Sequence, residues 1–415
     1  MIAFDLRQYQ PGESLFLWWL AHPEAPRLVG ELRTARVLQG VSLTYAKAWR
    51  ESGFPLSEDL PLIAGEFLPR ERESAAGAVD DARPDRWGER VIRMLDKPPR
   101  LSVLDFLFYA GDERFGALGV SVSASAYVAR DTGPLPQLAD AAEMERLAHR
   151  VLAGEPVPPE QQRLLHPGAT LGGARPKTLL TLQGAPWVIK FNEPGDPFDT
   201  SLVEHAAMTL AAQADIRVAH TLPVPLPRGH AVAIRRFDRE AGLRRHVLSA
   251  NVALRAAGEA PGYPELAQWL RRRGVAAGGR YKAQMQELFR RMVFNILIDN
   301  TDDHEKNHAL LMDSSGAYEL SPAFDVLPSG QALGYQQMRV GKAAADATLD
   351  NALSECSLFG LKRPDAVAQV QRVCQVLAGW QAHFAQAGVR DADIASLALQ
   401  IDRPFLRDQR QAYGE

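Results

Sequence analysis

The stretch from residue 281 to residue 325 constrains the fold most, because an apolar stripe, a polar loop and two short apolar runs follow one another there. Apolar residues at spacings of three and four predict one helix over residues 281–298. Residues 299–303 are of types that favour turns and caps, so we expect the helix to end before His304. Residues 309–312 and 318–320 then predict a hairpin that leads back to Asp325.

The polar loop has two chemical interpretations, and the first is a zinc site. Residues 304–308 match the pattern H-E-x-x-H, in which His304 and His308 would bind zinc and Glu305 would be the general base. That site requires one continuous helix to hold both imidazoles on one face. Because the helix is expected to end earlier, and no acidic third ligand is placed convincingly downstream, a zinc metallopeptidase is the weaker alternative.

The second interpretation is phosphoryl transfer. Asp302 would orient an attacking hydroxyl and accept its proton, while the Asn307 amide and the Asp325 carboxylate would hold Mg²⁺ against nucleotide phosphates. The spacing Asp-x-x-x-x-Asn is that of the protein-kinase catalytic loop. Lys306 could neutralise the transferring phosphoryl group, and His304 stands where common protein kinases have that lysine. A solvated polar loop with a capping aspartate is the structural alternative.

Composition limits the class of protein. The chain has 415 residues, of which 46% are hydrophobic and 23% charged, as expected of a globular protein with two or three packed domains. A net charge of −3 provides no overall attraction for nucleic acid or anionic lipid. The start of the chain has no signal-peptide pattern, and its apolar residues 15–20 are too few to span a bilayer. With only two cysteines, these features predict a cytoplasmic protein without a membrane partner.

Strand, turn and helix patterns divide the chain into four parts. We predict a β-rich N-terminal module over residues 1–120 and a connector with one helix over residues 121–166. Residues 167–245 carry strand patterns and a glycine-rich turn, and residues 246–415 are predicted to be mostly helical.

Glycines before a Lys-Thr pair give residues 168–178 a likeness to a Walker A loop. However, Leu171 and Pro176 occupy the places of two glycines, and proline removes an N–H from a loop that binds phosphate through N–H groups. A glycine-rich turn of another kind beside a phosphate remains possible, as does a simple flexible loop. The candidate binding residues are Gly172, Gly173 and Lys177.

A charged residue inside an apolar strand is the next candidate. Lys190 lies within the apolar run 187–191, where an ammonium group is costly unless it is paired or functional. In kinases such a lysine grips nucleotide phosphates and is held by a helix glutamate, for which Glu204 is the natural candidate. Glu204 could equally be part of a capping box that begins at Ser201.

In combination these motifs resemble the HipA family of bacterial toxin kinases, from type II toxin-antitoxin modules. The resemblance covers most of the chain, including the N-terminal module. It rests on residues 171–177, 189–191, 236–239, 301–307 and 322–325, together with residues 29–32, 55–57 and 115–117 of the module.

The resemblance implies an α+β, two-lobed protein-kinase-like fold with an N-terminal β-rich module and a mostly α-helical C-terminal lobe. It also implies ATP- and Mg²⁺-dependent phosphorylation of protein serine or threonine, with Asp302 as base, Asn307 and Asp325 as metal ligands and Lys190 at the phosphates. Backbone groups of Arg235 and Phe237 would meet adenine. The position at which family members commonly autophosphorylate a serine corresponds to Thr170 in this chain.

Partners follow from the same resemblance. Family members phosphorylate aminoacyl-tRNA synthetases, which inhibits translation and growth, and a small HipB-like helix-turn-helix antitoxin neutralises them and binds operator DNA. We expect such an antitoxin and such a protein substrate here, with DNA contacted mainly through the antitoxin. A catalytically silent, kinase-like corepressor is the alternative.

Overall fold

The structure of the chain is a computed structural model, which describes residues 9–128, 130, 133–167 and 173–414. It contains two compact units. The first unit comprises Met1–Glu193 and Arg236–Ala257, and the second comprises Pro194–Arg235 and Gly258–Glu415.

The strands lie mainly in the first unit. In chain order they are β1 (Ser14–Trp19), β2 (Arg27–Ala35), β3 (Gly40–Tyr45), β4 (Glu66–Phe67), β5 (Leu118–Ser121), β6 (Lys177–Leu182), β7 (Ala185–Lys190), β8 (Thr221–Pro225), β9 (His230–Arg235), β10 (Arg239–Glu240), β11 (Leu243–Arg244), β12 (Val247–Ser249), β13 (Ala309–Met312) and β14 (Tyr318–Leu320).

The helices dominate the second unit. In chain order they are α1 (Lys47–Ser52), α2 (Arg86–Leu95), α3 (Val103–Tyr109), α4 (Ala141–Ala153), α5 (Thr200–Gln213), α6 (Ala250–Ala257), α7 (Tyr263–Arg273), α8 (Arg280–Leu297), α9 (Leu349–Ser354), α10 (Arg363–Ala378), α11 (Trp380–Gln386), α12 (Asp391–Ile401) and α13 (Pro404–Gly414).

An antiparallel sheet with strand order β4-β3-β2-β1-β5 forms the N-terminal part of the first unit. Strand β1, which lies between β2 and β5, alternates at its start, since Leu15 and Leu17 are fully buried whereas Phe16 is half-buried. Side chains of a strand point to opposite faces in turn, so one face of β1 packs into the core.

The hairpin β6–β7 confirms the strand pattern predicted after the glycine-rich turn. Its register runs from Lys177 opposite Lys190 to Leu182 opposite Ala185. The two connecting residues, Gln183 and Gly184, have φ of 53° and 72°. Two consecutive positive φ values match the twist of the flanking strands, as in a type I′ hairpin turn.

Helix α8 is the central element of the second unit and confirms the predicted apolar stripe. Leu288, Phe289, Met292 and Val293 are fully buried, and the helix packs against α7 and α10. The helix ends as expected, because Asp299 adopts a left-handed backbone with φ of 61° that cannot continue an α-helix.

Throughout the described ranges, every helix is too short or too polar to cross a membrane. The predicted four-part division of the chain stays a prediction.

Candidate active site

The loop that follows α8 carries Asp302, whose side chain is exposed, and Asn307, which is buried. Two contacts fix the start of the loop. Arg403 forms a 2.9 Å ion pair with the buried Asp299, and the Thr301 hydroxyl lies 2.6 Å from that of Ser329. The Ser329 N–H also donates to the Asp299 carbonyl at 3.0 Å. The loop is therefore tied to the segment that follows Asp325.

Asp325 is reached through the antiparallel hairpin β13–β14. The segment after β14 is anchored at Ala323, whose N–H donates to the Arg217 carbonyl at 2.7 Å and whose carbonyl accepts from Ala219 N–H at 2.8 Å. Asp325 has a φ of 59°, a left-handed conformation that is uncommon outside glycine. Such strained backbone often accompanies functional positions, because the surrounding structure must hold it in place.

Asn307 and Phe324 line the same small cavity, together with Asp303 and His308. This places the candidate amide ligand beside the residue that immediately precedes Asp325. The structure thus brings the predicted loop and the predicted second acid into one region of the second unit. That they form a metal site stays a prediction.

Asp303, which sequence reasoning missed, is the buried centre of this region. Its Oδ2 accepts a hydrogen bond from the Tyr263 hydroxyl and lies 2.8 Å from His308 Nε2. All three side chains are buried, and the Tyr263 and His308 rings meet edge to face at 5.6 Å. Burial alone would raise the pKa of Asp303, but the neighbouring His308 and both hydrogen bonds lower it below its usual value. Local sequence offers no signal for this triad, because Tyr263 lies far upstream.

The helix required by the zinc interpretation is missing. The short 3₁₀ segment Glu305–Asn307 is preceded by His304 in an extended conformation and followed by His308, which is extended as well. His308 turns its Nε2 towards Asp303. The described part of the chain contains no group of three or more His, Cys, Asp or Glu side chains that could hold a metal ion. The zinc alternative therefore lacks its geometric basis, as the predicted helix end implied.

The candidate phosphate-gripping residues are both buried. Lys190 ends strand β7 with 8% of its surface exposed, and Glu204 in α5 has 2% exposed. The capping-box alternative for Glu204 is wrong, because Asp199 rather than Ser201 caps α5 by accepting from Leu202 N–H at 3.3 Å. Lys190 belongs to the first unit and Glu204 to the second, and their pairing stays a prediction.

The candidate adenine-binding residues lie where the chain passes from the second unit back to the first. Arg235 is exposed at the end of β9, and its N–H donates to the His220 carbonyl at 2.9 Å. Phe237 packs its ring against Phe115, with the centroids 5.3 Å apart. Contact of their backbone with adenine stays a prediction.

The motif over residues 236–239 contains a buried charge network. Asp238 is fully buried and accepts from Arg236 at 2.8 Å, from Arg239 at 2.6 Å and from the Gly116 N–H at 2.8 Å. Burial would raise the pKa of Asp238, but the two guanidinium groups outweigh it and lower the pKa to about 2. The motif thus joins the N-terminal module to the chain after β9 within the first unit.

In the glycine-rich segment, Gly173 and Lys177 are described, whereas Thr170 and Gly172 lie outside the described residues. Gly173 has a φ of 105°, which side-chain-bearing residues rarely adopt. Lys177 is 3% exposed, and its Nζ lies 3.0 Å from Asp85 Oδ2. Whether these groups meet a nucleotide stays a prediction.

Comparison with known proteins gives the family. The model of the HipA-like C-terminal domain matches residues 169–380, and that of the HipA N-terminal domain matches residues 25–121. The chain therefore belongs to the HipA family.

The chain is also similar to two solved structures. HipA of Shewanella oneidensis MR-1, solved with HipB and operator DNA, is 19% identical and superposes with a TM-score of 0.66 over 96% of this chain and 97% of that one. The Helicobacter pylori proinflammatory kinase CtkA is 15% identical, with a TM-score of 0.45 over 60% of this chain and 94% of that one. The predicted fold class is confirmed: an α+β, two-lobed kinase-like fold with a β-rich N-terminal module and a mostly helical C-terminal lobe.

Proposed function

We propose that this chain is an ATP- and Mg²⁺-dependent serine/threonine-protein kinase that acts as the toxin of a toxin-antitoxin pair. The observation that carries the proposal is the pair of adjacent aspartates after α8. Asp303 is buried in hydrogen bonds with Tyr263 and His308, whereas Asp302 is exposed. The buried acid anchors the loop, and the exposed acid faces solvent, where a substrate hydroxyl can reach it.

Each loop residue then has a role. Asp302 accepts the proton of the attacking serine or threonine hydroxyl, as the catalytic aspartate of kinases does. Lys306 is exposed on the same loop and stabilises negative charge on the transferring phosphoryl group. His304 is half-buried and completes the loop at the position of the usual kinase lysine.

The donor set near Asp302 suits Mg²⁺. Asn307 supplies an amide oxygen and Asp325 a carboxylate, and Mg²⁺ prefers oxygen ligands and is often held by one or two carboxylates plus substrate phosphates. When bound, the ion neutralises charge on the nucleotide phosphates. Asn307 is held against the small cavity that Phe324 also lines, which supports a common site with Asp325.

ATP would be bound by residues from the glycine-rich turn, strand β7 and the segment after β9. We assign the phosphates to Lys190, with Glu204 as its partner, and to the turn at Gly172, Gly173 and Lys177. The adenine is assigned to backbone groups of Arg235 and Phe237. Burial of Lys190 and Glu204 supports this assignment, because buried charges need partners or a function.

Phosphoryl transfer is the direct test. Purified protein is incubated with Mg²⁺, γ-labelled ATP and a mixture of aminoacyl-tRNA synthetases, and label in protein serine or threonine is identified by mass spectrometry. Asp302→Asn should lower transfer by about 10²–10⁴-fold, the usual contribution of a general base. Asp408→Asn is the matched control, since Asp408 is another exposed aspartate of the second unit, with 66% of its side chain accessible. Transfer by Asp302→Asn at the wild-type rate would contradict the assignment.

The same experiment addresses self-modification and the target. Label at Thr170 would identify it as an autophosphorylation site, and label in one synthetase would identify the substrate whose modification stops translation. Label confined to the purified protein itself, with none in any synthetase, would count against the synthetase class.

The partner proposal rests on the solved relative. HipA of Shewanella oneidensis was solved with HipB and operator DNA, so we propose a HipB-like helix-turn-helix antitoxin as the partner of this chain, in the cytoplasm, with operator DNA reached mainly through it. Co-purification with the product of an adjacent short reading frame, followed by an operator mobility shift, tests this partner. Operator binding by that complex without any phosphoryl transfer would favour the silent corepressor over the kinase.

A further inference from the structure

The start of helix α2 in the N-terminal module is joined to strand β6 by one buried carboxylate. Asp85 Oδ1 caps α2 by accepting from Gly88 N–H at 2.7 Å, and Asp85 Oδ2 lies 3.0 Å from Lys177 Nζ. Both side chains of the ion pair are only 3% exposed. A single carboxylate therefore sets the first turn of a module helix and the position of a lysine beside the glycine-rich turn.

Backbone contacts surround this ion pair. Trp87 Nε1 donates to the Lys177 carbonyl at 2.6 Å, and Trp87 N–H donates to the Gly173 carbonyl at 3.4 Å. A Cβ built on Gly88 would lie 2.0 Å from the Pro167 carbonyl oxygen, so only glycine fits there. The first turn of α2 thus contacts Pro167 and Gly173, the residues on either side of segment 168–172.

Charge explains why an acid is needed at this place. Lys177 pairs directly with Lys190 in the β6–β7 hairpin, so two buried ammonium groups occupy neighbouring positions on one face. Like charges directly opposite each other across antiparallel strands are destabilising, and unpaired buried charge costs more. The Asp85 carboxylate compensates the charge of Lys177 and holds its Nζ, which lies 2.7 Å from where a Cβ on Gly173 would be.

We propose that Asp85 is a positioning residue of the nucleotide site: by holding Lys177, it sets Gly173 and the neighbouring Lys190 for the phosphates. The N-terminal module then contributes to the nucleotide site, because the ion pair joins it directly to strand β6. This inference rests on the proposed ATP binding.

Asp85→Asn is the first test, because the amide oxygen can still cap α2 while the charge is lost. We expect the KM for ATP to rise about tenfold, within the usual range of coupling between sites, with kcat changed less than about twofold. Asp80→Asn is the matched control. Asp80 also lies in the first unit, forms a 2.9 Å ion pair with Arg83 and accepts from Ala75 N–H at 2.8 Å, so its loss should leave the KM unchanged.

A second measurement separates positioning from stability and from the proposed kinase activity. Amide hydrogen exchange should accelerate at residues 173–178 in Asp85→Asn and not in Asp80→Asn, with or without ATP. Asp85→Asn should also lower the melting temperature, because it breaks a buried ion pair. In the double variant Asp85→Asn/Lys177→Met, which removes both charges, thermal stability should return while the KM stays raised. Should wild type bind no ATP, the proposed function fails, and exchange alone decides the role of Asp85. An unchanged KM in Asp85→Asn, or unchanged exchange at residues 173–178, would overturn the proposal.

Discussion

Replacing Asp303 with alanine should lower the free energy of unfolding by about 4 kcal/mol, the middle of the range for breaking a buried charged pair. Asp303 is 2% exposed, and its Oδ2 is the acceptor for both Tyr263 and His308. Alanine would leave the Tyr263 hydroxyl and His308 Nε2 buried without this acceptor. Each such group costs about 1–3 kcal/mol, which agrees with the total.

Asparagine provides an internal comparison. Its side-chain oxygen can still accept from both donors, so Asp303→Asn should lose only the charge-assisted part, about 1 kcal/mol for each bond and about 2 kcal/mol together. Asp302→Asn, one residue earlier and exposed, should change the free energy of unfolding by less than about 1 kcal/mol while lowering phosphoryl transfer by about 10²–10⁴-fold.

Urea denaturation of the three variants measures these differences, and pH provides a further check. The pKa of Asp303 is lowered in the folded protein, so its charge stabilises the fold above the unfolded pKa of about 4, and this contribution is lost as pH falls through the folded value. The gap between wild type and Asp303→Asn should therefore be full at pH 7 and shrink below about pH 4. A cost for Asp303→Ala of less than about 1 kcal/mol, or equal costs for Ala and Asn, would refute the reasoning.

Three further predictions concern other parts of the chain. The pKa of Asp238 falls from 3.8 to about 2 on folding, which stabilises the folded protein by about 2 kcal/mol at neutral pH. Wild type should lose this stability between about pH 4 and pH 2, whereas Asp238→Asn should not; urea midpoints measured across this pH range would show the difference. Removal of zinc by chelation should leave the melting temperature unchanged, since His304 and His308 lie outside any continuous helix; stoichiometric zinc in purified protein would contradict this. Cys356 and Cys374 are buried, and burial raises the pKa of the Cys374 thiol to about 11. Both thiols should therefore react with a thiol reagent only after unfolding, and rapid reaction of the native protein would contradict this.

Sequence reasoning was most successful where the signal is local. The periodicity of 281–298 identified helix α8, and the polar residues after it located its end. The β6–β7 hairpin was predicted from the β-rich runs 177–182 and 187–191 and the residues 183–186 between them, and the structure shortens the turn to Gln183 and Gly184. Periodicity and turn chemistry depend on neighbours a few residues apart, so one sequence is enough to read them.

Local patterns failed where the same residues allowed two structural assignments. Ser201 and Glu204 match a capping box, yet Asp199 caps α5, because a short motif does not fix a helix start to within one or two residues. The aspartates at 302 and 303 are chemically identical in the sequence. Only the fold makes one exposed and the other buried.

The sequence by itself determined the family, the order of the candidate catalytic groups and the main helices and hairpins. Tertiary structure alone decided the partners of the buried charges: Asp303 with Tyr263, Asp85 with Lys177, and Asp238 with the Gly116 N–H. These partners lie forty or more residues apart in the chain. A buried charge is stable only if the fold places a partner beside it, and that partner can come from any part of the chain. The spacing of residues along the sequence therefore does not predict which residues will pair.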